Sequence, residues 1–338
     1  MANNKSSLIK TQQLLVVISV LLFVIKIIAW YLTSSISILT DALESTVNVI
    51  AGFIGLYSIN LSSKPKDKEH PYGHGKIEFI TSAFEGVLIT VAGLIIIYES
   101  INNFIHPHEI KKLDYGLVLI AFSGLINYIV GHICVKKGLK ENSPVLVSGG
   151  KHLKSDTYST LGLLIGIGLI LVTGFIWIDS LAAIVFAFII IFSGYKIIRK
   201  SISGMMDEAD HQIIEQVKNV LNANKSNNWI DVHNMRIINY AGFYHIDCHL
   251  TVPFFLNIVQ GHRLVDDLTS MLSSHFDDRV EFFIHVDACQ FYQCKLCKVS
   301  NCEFRKENFI REIEWTTCLL YTSPSPRDLS TSRMPSSA

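Results

Sequence analysis

Apolar positions along the chain follow two regimes that change near residue 205. Before it, six stretches (14–32, 36–61, 77–101, 115–135, 148–173 and 175–198) are apolar over most of their length. Each has the roughly 20 residues a helix needs to cross a hydrocarbon core. After it the pattern is that of a soluble domain. Residues 213–222 and 260–275 repeat apolar positions at helical spacing, while 232–238, 244–252 and 280–286 read as strands, with a turn at 240–242. The order helix, strand, strand, helix, strand predicts a small α+β domain.

Composition agrees with a membrane class: 49% of the 338 residues are hydrophobic and 17% charged. A formal net charge of zero gives no reason to expect nucleic acid as a partner. The distribution of charge is more informative. Lys64, Lys66, Lys68 and Lys76 follow the second stretch, Lys136, Lys137 and Lys140 the fourth, and Arg199 and Lys200 the sixth. The joints after the first and fifth are nearly free of charge. Basic residues collect on the cytoplasmic side, so both termini are expected there. The first stretch is too long for a signal peptide and has no clear small-residue cleavage site.

Against this background a few polar residues stand out. His152 and Asp156 lie four apart in the fifth stretch, and Glu44 and Asn48 four apart in the second. Spacing of i, i+4 puts each pair on one helix face. A charged group at membrane depth costs roughly 2.5–3.5 kcal/mol on insertion scales, so such residues normally face an interior pathway. Two pairs can supply four ligands, the number a tetrahedral divalent metal site takes. Imidazole and carboxylate accept zinc, iron, cobalt or manganese, so ligand type alone selects none of them.

Two further groups carry metal chemistry. Asp67, His70 and His74 form a compact nitrogen and oxygen set between the second and third stretches, among glycines that permit tight turning. Cys289, Cys294, Cys297 and Cys302 have the spacing C-x4-C-x2-C-x4-C. The central two-residue gap lets both thiolates reach one ion, and four thiolates suit a structural zinc. An iron–sulfur cluster, or four reduced cysteines in a mobile tail, are the other readings. A disulfide framework does not fit a cytoplasmic tail.

Three motifs, SISILTDALESTVNVIAG at the second stretch, HPYGHGK after it and SGGKHLKSDTYST at the fifth, occur in this order. Together they resemble the signature of the cation diffusion facilitator family, over roughly residues 8 to 289. The resemblance implies an α-helical membrane domain of six transmembrane helices followed by a small cytoplasmic α+β (ferredoxin-like) domain. It implies a homodimer in the lipid bilayer, not an enzyme, exchanging a divalent cation for protons. The cation exported from the cytoplasm would be zinc, or a similar ion such as iron, manganese, cobalt or cadmium, and the membrane a bacterial inner (plasma) membrane.

Residue by residue, the family's transport site matches Glu44, Asn48, His152 and Asp156. Its usual second-stretch pair is Asp or His followed by Asp, so Glu44 and Asn48 are a departure. A neutral amide is a weaker ligand and lowers the negative charge of the site. Asp67, His70 and His74 match a secondary metal site of some relatives. His233, His249, His262, His285 and Asp287 fall where the family places a cytoplasmic binuclear metal site. The alternative reading is a metal-sensing membrane protein with weak or vestigial transport, motivated by Asn48. A membrane metallohydrolase would need an open coordination position and a general base that no motif supplies.

The expected partition is a transport domain over 1–204, a metal-binding dimerisation domain over 205–290 and a Cys-rich extension over 291–317. The stretch 318–338 is rich in Ser and Pro, continues no earlier pattern and resembles translated sequencing-adapter read-through. It is read as a non-native tail.

Overall fold

Six long helices make up most of the first part of the chain: α1 (Ala2–Thr33), α2 (Ile36–Ser62), α3 (Ile77–Ile105), α4 (Asp114–Glu141), α5 (Pro144–Thr173) and α6 (Trp177–Met205). This computed structural model describes residues 2–33, 36–105, 114–173, 177–276, 280–300 and 302–322. Two units emerge, Met1–Met206 and Asp207–Ala338. The helices run past the apolar stretches at most ends, because polar turns outside the hydrocarbon continue the same hydrogen-bond ladder. Pro144 opens α5, where its missing N–H is no loss.

In the first unit polar side chains are buried among apolar ones, while many large apolar side chains face outward. Gln12, Ser45, Asn48, Ser58, Glu85 and His152 are all buried, whereas Leu21, Phe53, Leu94, Leu125, Phe188 and Phe192 are exposed. Water would disfavour so large an apolar surface; lipid is a suitable solvent for it, and α-helices satisfy their own backbone there. Among the described residues, Ser7–Ile28 and Ile77–Asn102 are by themselves long and apolar enough to cross a membrane.

Small residues bring the helices close. α3 packs on α6 and α4 on α5. A Cβ added at Gly194 would lie 2.9 Å from Gly86 O, and one at Gly150 would lie 2.8 Å from Gly131 O. Both crossings follow the small-residue packing expected between membrane helices.

The second unit is built from α7 (His211–Ala223), β1 (Asp231–Tyr240), β2 (Phe243–Val252), α8 (Ile258–Ser273) and β3 (Val280–Ala288). Asp210 caps α7 and accepts from Gln212 N at 3.1 Å, while Asn257 and Gln260 form a capping box on α8. Antiparallel β1 and β2 are joined by Ala241 and Gly242, both at positive φ, the pairing a two-residue hairpin requires. α8 then carries the chain across so that β3 lies parallel to β2, in the order β1-β2-β3.

Strand alternation divides the sheet into two faces. Tyr244, Ile246, Cys248 and Leu250 are buried, in one core with Ile214, Val217 and Leu221 of α7 and Leu268 and Leu272 of α8. His245, Asp247, His249 and Thr251 alternate with them and so belong to the opposite face. A bulge between His233 and Arg236, with Asn234 at φ 51°, returns both of these residues to that polar face.

The core extends beyond the strands. Ile313, Trp315 and Leu320 join it, and the short helix α9 (Thr317–Tyr321) packs on β1. Asn222 Nδ2 donates to Trp315 O at 2.8 Å, and Trp315 N donates back to Asn222 Oδ1 at 3.1 Å. The core therefore runs on past residue 317, into the stretch set aside as a tail, because Leu319 to Tyr321 offer apolar side chains to it. Residues 323–338 lie outside the described set. Trp315→Ala is expected to destabilise the second unit by about 3–5 kcal/mol. Calorimetry of the detergent-solubilised chain would show this as a lower transition temperature for that unit; an unchanged transition would mean that Trp315 does not hold the extension in place.

Candidate metal centres

In the first unit, α2 and α5 meet at Asn48 and Asp156. Asn48 Nδ2 donates to Asp156 Oδ2 at 2.5 Å. One helical turn away, His152 Nε2 lies 3.9 Å from Asp156 Oδ1, and both side chains are close to fully buried. Asn48 Oδ1 is buried without a hydrogen-bond partner, so an oxygen able to act as a ligand remains available there. A buried amide oxygen left unpaired is costly, and a cation would satisfy it. The side chain of Glu44 lies outside the described residues. Lys26 of α1 is buried beside this helix and donates to Ser45 Oγ at 2.8 Å. Its place in the first apolar stretch is thereby explained.

Two carboxylates of α3 are buried within the first unit. Glu78 accepts from Ser62 at 2.7 Å and also from Ser143, tying the end of α2 to the start of α5. Glu85 is buried, with its carboxyl facing Gly149 of α5.

In the loop after α2, Asp67, His70 and His74 place ligand atoms within 4.8 Å of one another. Asp67 Oδ1 accepts from His70 N at 2.7 Å, and His74 Nε2 is 3.3 Å from Asp67 Oδ2. The His70 backbone N–H, helped by the imidazoles, holds the Asp67 carboxyl below its ordinary range. Gly73, at φ 93°, allows the turn that brings His74 back.

The polar face of the sheet carries the third group. Register places His233 opposite His249 and His249 opposite His285, so three imidazoles form a row across three strands. Ring centroids are 5.3 Å and 4.9 Å apart along it. Asp287 sits over the row, with Oδ2 2.8 Å from His249 Nδ1 and 3.5 Å from His233 Nε2, and Oδ1 3.3 Å from His285 Nε2. His233, His249 and Asp287 meet the 4.8 Å spacing, and His285 adjoins them. His262 is elsewhere, exposed on α8 beside Asp266 at 3.8 Å; the structure does not bring it to this cluster.

Sequence reasoning missed Asp231, whose Oδ2 lies 3.1 Å from His233 Nδ1 without a hydrogen bond to either atom. The signal was there: Asp231 and His233 are i, i+2 on one strand, hence on one face. It also missed His245, within 3.0 Å of Asp247 and 3.3 Å of Glu281 on the same face.

Cys289, Cys294, Cys297 and Cys302 line one pocket, although no three of their sulfurs are as close as 4.8 Å among the described residues. Burial raises the Cys289 and Cys297 thiols above their ordinary range. Cys248, in the core, is pushed up to about 12 by burial, which fits a packing residue and not a ligand.

Comparison with known proteins agrees with this arrangement. Residues 13–206 match the cation efflux transmembrane domain, and residues 209–289 match the cytoplasmic domain of cation efflux proteins. The chain is 26% identical to the manganese efflux system protein of Bacillus subtilis, over 74% of this chain and 86% of that one. It is 26% identical to a cadmium, cobalt and zinc/H(+)-K(+) antiporter of Bacillus velezensis, over 72% and 77%. Identity to a cation-efflux pump of Pectobacterium carotovorum is 25%, over 80% and 89%. With more than half of its length matched to the family's membrane domain, the chain belongs to the cation efflux, or cation diffusion facilitator, family: an integral membrane transporter of divalent metal cations and not an enzyme.

Proposed function

We propose that the protein exports a divalent cation from the cytoplasm in exchange for protons, with Asn48, His152, Asp156 and Glu44 as its transport site. The observation that carries this reading is the buried meeting of α2 and α5, where Asn48 and Asp156 touch and His152 is one turn away. Unprotonated imidazole and carboxylate bind the cation. Protons compete for the same lone pairs, so uptake of protons on the far side releases it. Rocking of one helix group against another would expose the site to each side in turn.

The reading includes six spanning helices, α1 to α6, with both termini in the cytoplasm of a bacterial inner-membrane protein. The lysines around the α2–α3 joint support that orientation. The α7-β1-β2-α8-β3 order corresponds to a ferredoxin-like fold without its first strand. The second unit would pair two copies. A row of imidazoles on the polar sheet face and an exposed His262 on α8 give such a dimer ligands for shared metal. Asp67, His70 and His74 would form a secondary site in the joint.

Zinc is the first expectation for the cargo. A donor set with one imidazole and several oxygens also admits manganese, iron, cobalt or cadmium, and relatives named for manganese and for cadmium, cobalt and zinc support that range. Competition among these ions for flux into proteoliposomes tests the assignment. Zinc is expected to be carried and to be inhibited by the others in order of their affinity. Metal-dependent association of the chain with no flux of any of these ions would instead support a sensor, the reading that the neutral Asn48 favours.

A further inference from the structure

Beyond β3 the chain leaves the part matched to the family's cytoplasmic domain, which ends at residue 289. It then makes a 3-10 turn, Phe291–Lys295, and folds back on itself: Ile310 N donates to Lys295 O at 2.8 Å. Four of the cysteines of this chain, Cys289, Cys294, Cys297 and Cys302, line one small cavity of about 20 Å³. That is room for about one water-sized particle, which an ion fills and a larger ligand does not.

The backbone around the cavity is arranged for sulfur ligands. The backbone N–H groups of Phe254 and Val299 partly offset the rise that burial imposes on the Cys289 and Cys297 thiols. Cys297 N also donates to Cys294 O at 3.3 Å, closing the two-residue gap into a tight turn. Arg305 fastens that turn from behind. Its guanidinium donates to Cys294 O at 3.0 Å, Cys297 O at 2.8 Å and Val299 O at 2.7 Å. A half-buried guanidinium that donates to these carbonyls, and to Glu307 O at 3.4 Å, fixes the loop's shape. Phe254 and Phe304, edge to face at 4.8 Å, wall the cavity and limit access of water to the sulfurs.

We propose that these four cysteines hold one zinc ion as a tetrahedral thiolate site. Its role is structural: it closes the extension onto the end of β3, two residues beyond Asp287. The chemistry is a ligand exchange in which the thiols give up protons to solvent and four sulfur–zinc bonds form, with no change of oxidation state. A contraction of the cavity accompanies binding, since no three of the sulfurs lie within 4.8 Å of one another among the described residues. The inference does not depend on the transport reading, because it uses none of the residues of the membrane site.

The test uses the full chain in detergent, stripped with a chelator and reloaded with cobalt(II) or zinc(II) alone. Cobalt is expected to give the intense sulfur-to-metal charge-transfer absorption of a thiolate site. That band should be lost in Cys294→Ser and Cys297→Ser and kept in Asp156→Ala and His249→Ala. Its absence from the reloaded wild type, or its persistence in both Ser variants, would overturn the proposal. A second measurement needs no variant. Of the seven cysteines, Cys134 and Cys248 are buried and Cys318 is exposed, so their alkylation should not respond to metal. Zinc should slow alkylation of the other four by about tenfold or more at saturating concentration. Equal rates with and without zinc, acid-labile sulfide in the purified protein, or a mass showing disulfides among these four would each overturn it.

Discussion

Asp156→Ala is expected to abolish cation flux in proteoliposomes, with His152→Ala close behind. Asp156 accepts from Asn48 of α2 and approaches His152 of its own helix at 3.9 Å, so it lies at the centre of the proposed site. Removing it deletes a charged ligand and also frees Asn48 Nδ2 in a buried place. Loss of an outer-sphere partner alone costs a metal site roughly 10–100-fold in affinity; loss of a charged ligand should exceed that. Protein level and helical content should stay near normal, because the apolar surface of the first unit is untouched. Flux within a factor of two of wild type, about what preparations differ by, would exclude Asp156 from the site.

Asn48→Asp should act in the opposite direction. It places two carboxylates in contact, and such a pair needs a proton or a cation between its members. An added unit charge about 4 Å away is worth on the order of 4 kcal/mol at an effective dielectric of 20. Repulsion from Asp156 offsets much of this. The net expectation is an apparent affinity for zinc about tenfold tighter. Competition by protons should sharpen, with flux falling more steeply as pH drops, and the order of preference among zinc, manganese and iron should change. Unaltered affinity and preference would mean that the unpartnered Asn48 Oδ1 is not a ligand.

Much of this was legible in the sequence. The six apolar stretches became α1 to α6, and the helix, strand, strand, helix, strand order became α7 to β3, with ends shifted by a few residues. Periodicity reports which residues share a face, so His152 and Asp156 could be paired without coordinates. It does not report which faces meet. The contact between Asn48 and Asp156 spans a separation of 108 residues; the two pairs could be grouped as four ligands from their spacing, but which side chains touch came only with the fold. The row of His233, His249 and His285 depends on register, and register here depends on a bulge at Asn234 that no local pattern announces. Asp231 needed no register, since it is i, i+2 to His233 on one strand, and was simply overlooked.

The carboxy-terminal extension was least legible. Trp315 is separated from its partner Asn222 by 93 residues, and nothing in the Cys-rich stretch between announces that a tryptophan beyond it completes the core. Arg305 reads in sequence as one more basic residue in a polar tail; only the fold shows four carbonyls converging on it. For Glu78 in the third apolar stretch, likewise, only the fold shows Ser62 and Ser143 converging on it.

The central claim is exchange of a divalent cation for protons through the buried α2–α5 site. It is tested most directly by recording zinc and proton movement together in proteoliposomes that contain the wild-type chain and start without a pH gradient. An imposed zinc gradient should drive zinc inward and protons outward with the same time course, and Asp156→Ala should silence both signals. Zinc entry with no accompanying proton movement, or proton movement that survives in Asp156→Ala, would contradict the account.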